Sequence, residues 1–169
     1  MIRASGLVLL LGACAMEAPA PAPTLSSTEA LVARLPESVG GFRRGAITPL
    51  SDAGSGNEVA YATANRSIAG YVQVLRADAP VAAETELRRF AAEATTGAAR
   101  RLRERAQVTI APFNCVELEG TFGRQPVEGL ACAGAIGGQL VRLRLSMTRR
   151  VERMAEARGF AEGIAAALR

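Results

Sequence analysis

The chain contains no histidine, no lysine and no tryptophan. Histidine is the commonest general base near neutral pH and the commonest zinc ligand, so its absence removes the ordinary route to both chemistries. The absence of lysine excludes Ser–Lys catalysis. Aromatic residues make up only 4% of the chain, although 49% of it is apolar. A core must therefore be built from Ala, Val and Leu, with Phe42, Phe90, Phe113, Phe122 and Phe160 as its bulky exceptions. With only two tyrosines there is little on which nucleobases could stack. No G-x-S-x-G, no P-loop and no metal-ligand spacing occurs, so neither a cofactor nor a metal is expected, and the chain does not read as an enzyme.

All 20 cationic side chains are arginine, against 16 carboxylates, for a net charge of +4. Guanidinium forks bind phosphate and carboxylate bidentately. The codon bias of a GC-rich genome is the simpler explanation of the arginine, and it also explains the many Ala and Gly.

The first residues read M-I-R-A-S-G-L-V-L-L-L-G-A-C. Arg3 supplies a positive start and Leu7 to Leu11 a short apolar run, followed by small Gly12 and Ala13 and then Cys14. The run is too short to span a bilayer as a helix, which takes about 20 residues; it fits a removable export signal. The Leu11-Gly12-Ala13-Cys14 stretch resembles the lipobox of bacterial lipoproteins. That resemblance implies cleavage before Cys14, diacylglyceryl transfer to its thiol, and acylation of the new amino terminus. Two or three lipid chains would hold the protein stably on a membrane, where one chain is marginal. Ala13-x-Ala15 or Ala18-x-Ala20 would instead serve an ordinary signal peptidase and release a soluble periplasmic protein. Ala15 is not the Asp that retains enterobacterial lipoproteins at the inner membrane, so the resemblance leans to the outer membrane, facing the periplasm.

The expected organisation is a signal peptide at 1–13, an anchored Pro/Ala-rich tether at 14–27 and one globular α+β domain at 28–169. Pro19, Pro21 and Pro23 alternate with Ala, a pattern for extended polyproline II and a semi-rigid spacer. In the domain, 28–35 reads as a short helix capped by Thr28 and stopped by Pro36. Strands are expected at 42–48, 58–64 and 68–76, the last two as a hairpin around 65–67. A helix from Pro80 to about Arg105 follows, with Leu87, Phe90, Ala91, Ala94, Ala98 and Leu102 on one face and Gly97 marking a bend or an early end. Strands at 107–110, 114–121, 128–135 and 139–148 are joined by turns at Gly123-Arg124 and Gly137-Gly138. A last helix spans 149–168. A mostly antiparallel sheet with a middle and a carboxy-terminal helix packed on it is the α+β layer architecture. Its element order resembles the PsbP-like fold, found in a photosystem extrinsic protein and in small bacterial envelope lipoproteins. That resemblance implies no active site.

If Gly123-Arg124 centres a hairpin, residues whose numbers sum to 247 oppose each other, and Cys115 with Cys132 is such a pair. Opposed antiparallel residues have Cβ atoms about 4.5–5.5 Å apart, within reach of a disulfide in an oxidising compartment. Two buried thiols or a redox pair are the alternatives, although no C-x-x-C is present. The same register sets Glu119 against Glu128, a like-charge pair that could favour a slip by one pair. Glu117, Glu119 and Glu128 could be imagined as paired catalytic carboxylates, but read more simply as the outer face of a strand. Arg100, Arg101, Arg103 and Arg105 are the densest basic cluster: either a contact for an anionic lipid surface or a solvated helix end. Nucleic acid is not an expected partner of an exported chain. The expected role is a non-enzymatic, lipid-anchored accessory domain that binds an envelope protein; the alternative is a carrier of a small apolar or lipidic ligand.

Overall fold

The computed structural model describes residues 27–51, 55–77, 82–96, 100–150 and 153–169, with Arg100 described by its backbone alone. The expected signal peptide, Cys14, almost all of the tether, Pro80 and Gly97 thus lie outside the described residues. In chain order the elements are α1 (Ser27–Arg34), β1 (Ser38–Val39), β2 (Phe42–Pro49), β3 (Gly56–Thr63), β4 (Ile68–Leu75), α2 (Ala83–Thr95), β5 (Arg100–Ile110), β6 (Phe113–Phe122), β7 (Gln125–Ile136), β8 (Gln139–Thr148) and α3 (Arg153–Leu168). The strands form one eight-stranded antiparallel sheet in the order β1-β2-β3-β4-β8-β7-β6-β5. This is the expected α+β class.

Period-two alternation in the strands divides the side chains between two cores. On one face Val72, Val74, Leu130, Val141, Leu143 and Leu145 pack with α1 and with Phe160, Ala161, Ile164 and Ala165 of α3. There Phe160 lies between Phe42 and Tyr61, with ring centroids 4.6 and 5.1 Å away. On the other face Val116, Leu118, Ala131, Ala133 and Leu140 meet Leu87, Phe90, Ala91 and Ala94 of α2. The small alanines let α2 sit close to the sheet in an aromatic-poor chain.

Strand β8 is central. Its Val141, Leu143, Leu145 and Met147 serve the α3 core, while Arg142 and Arg144, each only 9% exposed, lie beneath α2. Arg142 donates from Nε and Nη2 to Oε1 of Gln73, at 3.2 and 2.9 Å. It also stacks 4.6 Å from the centre of the Phe90 ring and pairs with Glu93. Arg144 donates to the Ala94 carbonyl at 3.0 Å. Helix α2 has no basic residue in its last turn, so the sheet supplies the cation that complements its carbonyl-rich end.

Three expectations need correction. The middle helix ends at Thr95, and residues 100–110 form a strand. Thr96 adopts extended backbone there, its N–H accepted by the Ala92 carbonyl. Leu102 reaches the α2 core from β5, as an alternating residue and not as part of a helical face. The last helix begins at Arg153: Arg149 is not helical, and its N–H goes to the Pro126 carbonyl. Phe122 is not a core residue but is 52% exposed.

Candidate functional site

The β6–β7 register is the one in which paired numbers sum to 247: Cys115 faces Cys132 and Glu119 faces Glu128. The two cysteines form a disulfide, with Cα atoms 4.0 Å apart. It is buried, both residues being at most 1% exposed, and belongs to the α3 core.

Alternation from Cys115 puts Glu117 and Glu119 on that same face, and from Cys132 it puts Glu128 there too. They do not form an open outer face. Glu117 is 2% exposed and receives Nε of Arg158 from α3 at 2.7 Å, with a second bond from Nη2 of the same guanidinium. Glu119 accepts from Arg103 at 2.6 Å and from Arg149 at 2.8 Å. Glu128 lies 3.5 Å from both Arg105 and Arg149. Arg149 thus bridges the two opposed carboxylates and removes the repulsion that would drive a register slip. Every one of these carboxylates is paired with a guanidinium, an arrangement that ties β5, β6, β7 and α3 together.

The arginines singled out in the sequence lie on β5, not at a helix end. Arg103 and Arg105 are the partners of Glu119 and Glu128 just described. Arg101 is exposed, and the side chain of Arg100 lies outside the described residues. Sequence reasoning missed the buried Arg142 and Arg144 because charged residues on a strand normally signal its wet face. Their alternation with Leu140 could have indicated a second buried face.

Among the described residues, two surface depressions stand out. One, of about 250 Å³, runs between α2 and the β5–β6 pair and is lined by Glu84, Arg88, Glu104, Gln107, Thr109 and Asn114 among others. The other, of about 290 Å³, is lined by Leu102, Phe122, Val127, Met147 and Arg66 among others. No family model matches the chain, and no curated protein is similar to it. Among the described residues no group of His, Cys, Asp or Glu could hold a metal ion, and no helix is long and apolar enough to cross a membrane.

Beside the first depression runs the outer edge of β5, which among the described residues pairs on one side only, with β6. Its first half carries Arg101, Arg103, Glu104 and Arg105, with a register shift between Glu104 and Ala106. Charges and bulges are the usual protection of an edge strand. Its second half, Ala106–Ile110, has neither. The opposite edge, β1, is only 2 residues long.

Proposed function

We propose that this chain is a lipid-anchored, non-enzymatic accessory domain of the bacterial envelope, and that it binds an extended segment of an envelope protein along the second half of β5. The observation that carries the reading is the bare, uncharged edge from Ala106 to Ile110 beside a polar groove. Strand addition supplies affinity through main-chain hydrogen bonds, while a flanking groove sorts side chains. The lipobox-like Leu11-Gly12-Ala13-Cys14 and the disulfide agree with an exported protein, because such bonds persist in oxidising compartments. The order of hairpin, helix, meander and helix agrees with the PsbP-like likeness. A ligand carrier fits less well, since the two depressions are open and each is below the usual size of a small-molecule pocket, roughly 300–1,000 Å³.

A photoreactive amino acid at Gln107 or Thr109, both exposed, tests this in living cells; Glu162 on α3 serves as control. The expected result is one discrete crosslinked product from the β5 positions, none from Glu162, and its loss when Cys14→Ser removes the anchor. Crosslinks of equal strength from all three positions, or none from β5, would end the proposal.

A further inference from the structure

One end of the sheet gathers the β3–β4 turn, the β6–β7 turn, the exit of β8 and the start of β5. The register places them together: Ile68, Met147, Glu128, Glu119 and Arg103 share one rung across β4, β8, β7, β6 and β5. At and beyond this rung stand Arg66, Arg101, Arg103, Arg124, Arg149 and Arg150, all exposed, against Glu119 and Glu128. Both carboxylates are already engaged by Arg103, Arg105 and Arg149. Among the described residues no carboxylate lies within pairing distance of Arg66, Arg101, Arg124 or Arg150.

At the same end, on the α2 face, lies the apolar depression of about 290 Å³, with Phe122 and Arg66 on its lining, while Arg101, Arg103 and Arg149 belong to the opposite face and Arg124 to the adjoining turn. The depression lies farther out than the rung of Arg144, where that guanidinium meets the last turn of α2. At 52% exposure Phe122 is the most exposed large apolar side chain among the described residues, although aromatics are scarce in this chain.

A second observation is the conformation of Arg66. It has φ of 52°, the only non-glycine residue with positive φ among those described. That left-handed position in a turn favours Gly or Asn, because a Cβ there crowds the following carbonyl. The turn is otherwise well made, with Oδ1 of Asn65 accepting from the Ser67 N–H at 3.0 Å. An arginine in place of glycine costs the fold something, and what it adds is a guanidinium at the rim of the depression.

We propose that this end of the sheet docks on an anionic phospholipid bilayer, with Phe122 entering the headgroup region and the arginines of this end lying against lipid phosphates. Cations on the turns and both faces of one sheet end, together with an exposed aromatic, are complementary to such a surface met end-on: the apolar ring suits the headgroup–acyl boundary and the guanidiniums match phosphate geometry. A protein groove would need convergent carboxylates in the partner and would leave the aromatic on a wet rim. Each arginine near an anionic bilayer adds about fivefold to the binding constant, an attraction that salt screens. The docking needs no lipid on Cys14, so it stands or falls separately from the anchor.

The test is co-sedimentation of the full chain carrying Cys14→Ser with two kinds of vesicle: phosphatidylcholine alone, and phosphatidylcholine mixed with phosphatidylglycerol in equal parts. Any apolar contribution from residues 1–13 appears with both kinds of vesicle, and the charge of Arg3 is common to every variant, so the change in the ratio of the two binding constants between variants reads the arginines at this end of the sheet. The ratio is expected to fall about twentyfold or more in the double variant Arg124→Gln, Arg150→Gln, and to stay unchanged in Arg88→Gln, whose side chain lines the groove at the other end of α2. Phe122→Ser should lower binding to the mixed vesicles at high salt, where the electrostatic part is screened. Arg66→Gly should lower the ratio about fivefold while raising the unfolding temperature by roughly 3 °C, a combination that a general loss of fold cannot produce. A ratio near one for the parent chain overturns the proposal and leaves a protein as the occupant. Equal losses in Arg88→Gln and in the variants at this end of the sheet overturn it also, because net charge and not this surface would then be acting.

Discussion

Tyr61 shows how one side chain couples burial to pH. It is 2% exposed, it donates its hydroxyl proton to the Pro36 carbonyl at 2.7 Å, and its ring packs on Phe160. Burial pushes its pKa up to about 12, against a smaller opposing pull from the Arg44 guanidinium. In the unfolded chain the hydroxyl ionises near its ordinary value of about 10. The folded state therefore holds this proton more tightly, and the stability it contributes is present below pH about 10 and lost as pH rises toward 12. A spectrophotometric titration should show one tyrosine ionising near 12 in the parent chain and not in Tyr61→Phe. Urea midpoints should decline more steeply above pH about 10 in the parent than in that variant.

At the scale of elements, the β6–β7 hairpin is the best determined part of the molecule. Its register follows from one turn and two cysteines, and the opposed Glu119 and Glu128, the feature that seemed to argue against it, are held by Arg149. Replacing both cysteines by alanine should lower stability by about 3 kcal/mol, because the bridge closes a short loop over a sequence separation of 17. Urea denaturation of the oxidised parent and the double variant checks this; equal midpoints would show that the core alone holds the register. Legibility elsewhere followed the hydrophobic pattern. The central strand β8 was clear because its alternation was unbroken, and Gln139–Thr148 matched residue for residue. The start of β5 was not, because R-R-L-R-E-R has a single apolar residue and so no period to read. Phe122 was misread because aromatic character predicts burial, and an exposed aromatic has no signal of its own. Of the docking surface, only its arginines on β5 were visible. Arg66, Arg124, Arg149 and Arg150 come from separate turns that only the sheet brings together.

At the scale of the whole molecule the decisive joint is between β4 and β8, which links two antiparallel halves into one sheet. Gly70 lies on that joint. A Cβ there would run into the Arg144 carbonyl and come within 2.9 Å of the Leu145 Cα, both backbone and both unable to move aside. Gly70→Ala should therefore destabilise the entire domain by about 2–3 kcal/mol. Chemical denaturation followed by circular dichroism and by tyrosine fluorescence should give coincident transitions at a lower midpoint. Separate transitions for the two probes would mean that the halves unfold independently.

Strand β8 also has a place in time. It occupies residues 139–148, and its partner β4 lies at 68–75. A chain leaving the ribosome from its amino terminus presents β4 as a bare edge, and α2 without its carbonyl-binding Arg144, until most of the protein has been synthesised. Neither core can close before then, since both draw side chains from this one strand. The domain thus matures late: the end of the chain, first β8 and then α3, has to leave the ribosome before both cores can shut.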